Sequence, residues 1–205
     1  EQTSADRAWA ELAKANLLGL CLPTDVGGSG DGFVEACILF EQLGRTTAAV
    51  PLLPTLVSAM AIAALGTPEQ RQRWLPGVVS GDTVLTADIE GKATIVPYVD
   101  RAAALLSVGD EGILVLPDPS QLELSRQHVG SGEPVFSYRG GSFASHLGVG
   151  ALATEWIRQH WTVALCAVQT GVTERVLRMT AEYVAGRQQF ERPIGSFQAV
   201  GPRPA

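Results

Sequence analysis

Apolar positions recur at helical spacing in the first third of the chain. From Asp6 to Leu18 the sequence is rich in Ala, Leu, Glu and Lys, and Trp9, Leu12 and Ala13 fall at i, i+3, i+4. This pattern predicts a helix, with Gly19 placed as its C-terminal cap. A glycine-rich loop from Pro23 to Gly32 follows. Phe33 to Leu43 reads as a second helix, with Phe33, Cys37 and Phe40 on one side and Gly44 after it. Pro51 and Pro54 interrupt the chain, and Thr55 to Leu65 is a third helix, apolar nearly all round and therefore buried. After Gly66, the run Thr67-Pro68-Glu69-Gln70 combines a capping threonine, a proline at the first helical position and a glutamine that closes a capping box. The short helix it starts is expected to end near Pro76.

Beyond Gly81 the period changes. Val84 to Ile89, Ala93 to Val96, Ala104 to Val108 and Ile113 to Leu116 are short apolar runs separated by Gly, Asp and Pro, and they read as strands. Leu122 to Gln127 and Pro134 to Tyr138 add two more. From about Ser142 helix is expected again, and Ala151 to Ala185 has no proline and no strand-like alternation. One rough line on it joins Trp156, His160, Val163, Ala167, Thr170, Glu174, Leu177 and Ala181. A helix this long suggests a bundle element whose partners lie elsewhere. The chain therefore reads as α+β: an N-terminal helical domain over 1–81, a small middle β domain over 82–140, and the start of a C-terminal helical bundle over 141–205.

Composition narrows the function. The 205 residues are 46% hydrophobic and 18% charged, enough apolar material for a packed core, and the net charge of −6 argues against a nucleic-acid partner. The most apolar stretch, Leu52 to Leu65, is too short to span a bilayer and contains Pro54 and Ser58, so no membrane role is expected. Cys21, Cys37 and Cys166 lie far apart without metal-ligand spacing. They suit free thiols in a reducing compartment, and with a polar, charged N-terminus they point to the cytoplasm.

Most candidate motifs fail on inspection. Gly28-Ser29-Gly30-Asp31-Gly32 lacks the third glycine spacing and the β-α-β context of a dinucleotide loop, and reads as a connector. His160, between Trp156 and Val163 on a helix, reads as packed rather than catalytic. Asp88 and Glu90 share one face of a strand and read as a solvated edge rather than an acid–base pair. No catalytic residue is expected within the chain.

The run from Arg187 to Gln198 has a chemical logic of its own. A long helix leads to Arg187, Pro193 and Gly195 force a turn, and Phe197-Gln198 open a new segment. Arg187 at a helix C-terminus is favoured by the helix dipole and offers a forked donor to phosphate oxygens. Phe190 has a ring to stack on a planar surface, and Gln198 both donates and accepts hydrogen bonds. The residues alone are equally readable as a helix-turn-helix corner capped by Arg187.

This run resembles the acyl-CoA dehydrogenase pattern Tyr-x-x-x-Arg-x-Gln-Phe-Gly-x-Pro-Ile-x-x-Phe-Gln, here Tyr183 to Gln198. Three earlier blocks resemble the same family in the same order: Leu20 to Gly30, Phe40-Glu41-Gln42-Leu43-Gly44-Arg45, and Gly66 to Pro76 followed by Ser80-Gly81. The resemblance implies FAD as cofactor and α,β-desaturation of an acyl-CoA thioester as the reaction. It implies that Arg187, Gln189, Phe190 and Gln198 contact the ADP half of a flavin held by a neighbouring subunit. Glu191 stands where the family has glycine.

Other family features are missing. The run that lines flavin and thioester in the family is reduced here to Thr86-Ala87-Asp88-Ile89-Glu90, and roughly thirty residues of the β domain are absent by comparison. Lys92-Ala93-Thr94-Ile95-Val96 replaces a strand that in the family carries a tryptophan against the flavin ring. The family's proton-abstracting glutamate is expected to lie outside these 205 residues. This pattern resembles the degenerate subunits of heteromeric acyl-CoA dehydrogenases acting on bulky thioesters, steroid side chains among them. It implies a second, complete dehydrogenase subunit as partner, in a heterotetramer. The alternatives are a structural subunit that keeps the fold and binds no flavin, and a fragment of an ordinary dehydrogenase.

Overall fold

The computed structural model describes residues 3–143, 145–197 and 200. Four helices come first: α1 (Ser4–Lys14), α2 (Phe33–Thr46), α3 (Leu52–Leu65) and α4 (Pro68–Ser80). Helix α1 starts one turn's fraction earlier than predicted because Thr3 and Asp6 form a reciprocal capping box. It stops at Lys14, before Gly19, where Ala15 caps it and Asn16 turns left-handed. Thr67 and Gln70 build the expected box at the start of α4.

Three helix ends differ from the sequence reading, each for a packing reason. Gly44 does not terminate α2 but lies buried within it, and the helix runs on to Thr46. Pro54 does not delay α3, because it sits in the first turn, where the missing N–H has no partner to lose. Pro76 does not end α4, which continues to Ser80, with Trp74, Leu75 and Val78 buried on either side of the proline. Gly81 then caps it in the left-handed region and accepts from Trp9 Nε1 at 2.8 Å, tying α1 to the end of α4.

The middle of the chain forms two small sheets. Strands β1 (Leu85–Asp88), β3 (Ala104–Val108), β4 (Gly112–Leu116) and β7 (Ser145–Val149) make one, in the order β1-β3-β4-β7. Strands β2 (Val96–Pro97), β6 (Val135–Arg139) and β5 (Glu123–Gln127) make the other. β1 runs parallel to β3, and the remaining pairs are antiparallel. Helix was expected from about Ser142, but residues 145–149 are the strand β7, paired with β4. Only Leu147 of β7 is buried, so the segment shows no apolar alternation to read. The expected strand Ala93 to Val96 contracts to Val96–Pro97, because Ala93 adopts a positive φ of 56° and breaks the extended run.

The main core joins the helices to the first sheet, with Leu56, Val57 and Ile62 of α3 against Leu85, Leu106 and Ile113. Buried Thr55 Oγ1 donates to Leu85 O at 3.1 Å and accepts from Leu85 N at 3.3 Å, which fixes α3 on β1 without an unsatisfied polar group. A second, smaller cluster of Val96, Val99, Leu105, Leu116, Leu122 and Tyr138 lies between the sheets. Helix α5 (Ala151–Gly186) follows β7 and matches the predicted span to one residue. It packs along α2 with Ile157, Ala164 and Gly171 inward, while Val163 and Leu177 of the predicted line are exposed. Because apolar residues surround this helix, the sequence pattern did not reveal which face turns inward.

Candidate functional site

Beyond Gly171 no residue of α5 is buried, and the helix carries its last turns out from the body as an arm. Arg187 closes it: its N–H donates to Tyr183 O at 2.8 Å, and its backbone is extended. The chain then forms a tight hairpin of β8 (Gln188–Gln189) and β9 (Arg192–Pro193), with Gln189 opposite Arg192. Phe190 and Glu191 form the two-residue turn, both with positive φ, 54° and 64°. Such turns demand left-handed backbone at both central positions, which is where glycine is favoured. Ile194 N closes the base of the hairpin on Arg187 O at 2.8 Å. The segment is thus helix, hairpin and 3-10 turn rather than a helix-turn-helix corner.

This geometry gathers three of the four expected residues at the tip of the arm. Arg187, Gln189 and Phe190 are all exposed, Phe190 to 88%. Gln198 lies outside the described residues. The hairpin also recruits two side chains the sequence reading passed over. Arg192 stacks its guanidinium over the Phe197 ring at 4.0 Å, and Phe190 meets the same ring edge-on at 6.3 Å. The signal was available in principle: reading Phe190-Glu191 as a two-residue turn puts Arg192 beside Gln189. Among the described residues neither Arg187 nor Arg192 has an ion-pair partner, so both guanidinium groups face outward with donors to spare. Chemically the tip offers two cations, exposed aromatic surface and an amide, which suits a phosphate-bearing aromatic ligand. The Glu191 carboxylate is the one acidic group in the turn itself.

At the end of β1 the expected carboxylate pair separates. Asp88 is not a solvated edge residue: it is 2% exposed and accepts from Gly91 N at 3.0 Å, Ala93 N at 2.8 Å and Tyr138 Oη at 3.1 Å. Glu90 is exposed and pairs with Lys92 at 3.0 Å. Burial, with the Asp88 carboxylate beside it, pushes the Tyr138 hydroxyl up to about 12, so it stays a donor at any physiological pH. The loop after β1 is therefore tied down on its own polar groups. It also runs hard against β3, since a Cβ on Gly91 would stand 2.7 Å from Val108 O.

The other candidates are occupied structurally. His160 stacks on Trp156 with ring centroids 3.7 Å apart and bonds Trp156 O through Nδ1 at 2.7 Å. The glycine loop spends its amides internally: Gly28 N, Ser29 N, Gly30 N and Asp31 N donate to Pro23, Gly19, Leu22 and Leu20 carbonyls. The Cys21 thiol donates to Gly32 O, and burial pushes it up to about 11, an inert thiol rather than a nucleophile. Among the described residues no cluster suits a metal ion, and no helix is long and apolar enough to cross a membrane.

Residues 1–82 match the family model described as acyl-CoA dehydrogenase, N-terminal domain. The chain is 34% identical to acyl-CoA dehydrogenase FadE27 and 28% identical to FadE28, both of Mycobacterium tuberculosis, over 99% and 95% of its length. It spans 62% and 64% of the lengths of those two relatives. The FadE27 alignment runs over 245 positions although the chain has 205 residues, so the relative carries internal residues with no counterpart here. Among solved structures, the Tcur3481-Tcur3483 steroid ACAD superposes with a TM-score of 0.86 at 35% identity, covering 97% of this chain and 63% of that one. The ChsE4-ChsE5 complex from Mycobacterium tuberculosis gives 0.85 at 29% identity, covering 97% and 63%. A glutaryl-CoA dehydrogenase from Mycobacterium smegmatis in complex with FADH2, at 17% identity and a TM-score of 0.73 over 95% and 61%, shares the fold. Helices, paired sheets, exposed hairpin and these likenesses together place the chain in the acyl-CoA dehydrogenase family.

Proposed function

We propose that this chain is a subunit of a heteromeric, FAD-dependent acyl-CoA dehydrogenase that desaturates an acyl-CoA thioester between Cα and Cβ, with a steroid side chain as the substrate class. The observation that carries the reading is a contrast within the chain. Arg187, Gln189, Phe190 and Arg192 stand exposed on an arm with no internal partners, while the loop after β1 is closed on Asp88 and Tyr138. Residues that would serve a partner's cofactor are presented, and the loop that would face this chain's own cofactor is short and sealed.

In this reading Arg187 and Arg192 neutralise pyrophosphate oxygens, and the exposed Phe190 face covers an adenine ring. Gln189 and Gln198 supply hydrogen bonds that fix orientation. FAD, when bound, supplies the hydride acceptor for the reaction. The chain itself contributes binding and orientation, and the proton-abstracting base belongs to the partner, a second dehydrogenase subunit in a cytoplasmic heterotetramer. Likeness to the Tcur3481-Tcur3483 steroid ACAD and to the two-component ChsE4-ChsE5 complex supports both the substrate class and the partner.

Co-expression with the dehydrogenase subunit from the neighbouring reading frame tests this. A yellow complex that loses its flavin in the Arg187→Ala and Phe190→Ala variants is the expected result. A colourless complex of intact stoichiometry overturns it and favours a structural subunit, the reading suited to the Glu191 carboxylate in the turn.

A further inference from the structure

Where α5 crosses α2 the two backbones touch. A Cβ on Gly44 would stand 2.0 Å from Val168 O, and one on Gly171 would stand 1.9 Å from Glu41 O. Each helix therefore supplies the glycine that admits the other's carbonyl, a reciprocal notch no larger residue could form. Beside the notch Arg45 brackets the crossing: its Nε donates to Glu174 Oε2 of α5 at 2.7 Å, and its second arm reaches Glu41 Oε1 of α2. Glu174 also accepts from Arg178 at 3.1 Å. The Arg45 guanidinium bonded to it holds the Glu174 carboxyl below its ordinary range, the sign expected of a formed pair.

The crossing is also the last firm hold on α5. From Gly171 to Gly186 the helix extends about 22 Å without a buried residue, at 1.5 Å per residue. The hairpin sits at the end of that lever, so a tilt of about 5° at the notch moves it by about 2 Å, and a slip of one turn moves it by about 5.4 Å. Misplacement of a binding group by about 1 Å is already costly.

We propose that Gly44, Gly171 and Arg45 are positioning residues that fix the register and angle of the arm, and thereby deliver Arg187 and Phe190 to the partner's flavin. The notch permits one register, because a shift in either direction sets a side chain against backbone. The Arg45 bracket resists rotation about that contact, since a planar guanidinium bound on two sides fixes direction as well as distance. This inference rests on the cofactor-lending reading for its purpose, though not for its geometry.

The test uses the full chain in its co-expressed complex. Spin labels are placed at Ile38→Cys on α2 and Gln188→Cys on the hairpin, with the three native cysteines replaced. The expected result is one narrow distance distribution that shifts or broadens in Gly171→Ala. Arg45→Lys, which keeps charge but loses the two-sided fork, serves as the milder variant should Gly171→Ala fail to assemble. With the shift, flavin affinity is expected to fall on the order of tenfold or more. An unchanged distribution in the variants that assemble overturns the proposal, as does flavin loss without any shift. A shift with flavin fully retained leaves the positioning device standing for the arm but refutes its stated purpose, and with it the cofactor-lending reading.

Discussion

The two halves of α5 differ in burial far more than in composition. Its first half buries Ala153, Thr154, Ile157 and Ala164 against the body, while beyond Gly171 it leaves Val176, Leu177, Met179 and Tyr183 exposed. Apolar side chains that stay in water add nothing to the fold that carries them, so their contribution is realised only on contact with another surface. The comparison separates residues that make the structure from residues the structure presents. Phe40 and Phe190 are the sharpest pair: the same side chain, one wholly buried and one 88% exposed.

Substituting that pair gives the largest expected difference. Phe40→Ala removes a fully buried ring from the main core and is expected to cost about 3 to 5 kcal/mol of stability, measured as a drop in the denaturant midpoint at constant slope. Phe190→Ala is expected to leave that midpoint within about 0.5 kcal/mol. Equal losses in the two variants would erase the distinction between body and arm.

The Asp88 latch is the next test, and it asks whether the sealed loop belongs to the body. Asp88→Ala leaves Gly91 N, Ala93 N and the Tyr138 hydroxyl without their acceptor. The expected cost is about 1 to 3 kcal/mol, with amide exchange at Gly91 and Ala93 accelerated well beyond that in the first sheet. If exchange in the loop is already fast in the unaltered chain, the loop is not latched, and the contrast with the arm fails at that point.

These residues also mark how far the sequence could be read. Helix content and the span of α5 followed from composition and period, since Thr67, Gln70 and the proline-free run act locally. Gly44 was read as a stop because a glycine after a helical run looks the same whether it caps the helix or admits another backbone. Only the position of Val168, over a hundred residues away, decides between them. Asp88 was read as solvated for the same reason, because its partner Tyr138 lies fifty residues downstream. Strand β7 escaped because a single buried Leu147 gives no alternation. At the tip, Arg187, Gln189 and Phe190 were legible as a motif, whereas Arg192 and Phe197 became visible only once the hairpin folded them together.

The smallest expected effect falls on the arm alone. Glu191 holds a φ of 64° at the second turn position, where an L side chain strains the backbone and glycine does not. Glu191→Gly should relieve about 1 kcal/mol of that strain. A global melting curve would not register it, because the hairpin makes no contribution to the core and opens on its own. The measurement that can see it is exchange at the Ile194 amide, which closes the hairpin on Arg187 O. About 1 kcal/mol corresponds to roughly fivefold slower exchange at that one site, with the β1-β3-β4-β7 sheet unchanged. Slower exchange throughout the sheet would mean that the hairpin is coupled to the body after all, and that the arm is not the independent unit its burial describes.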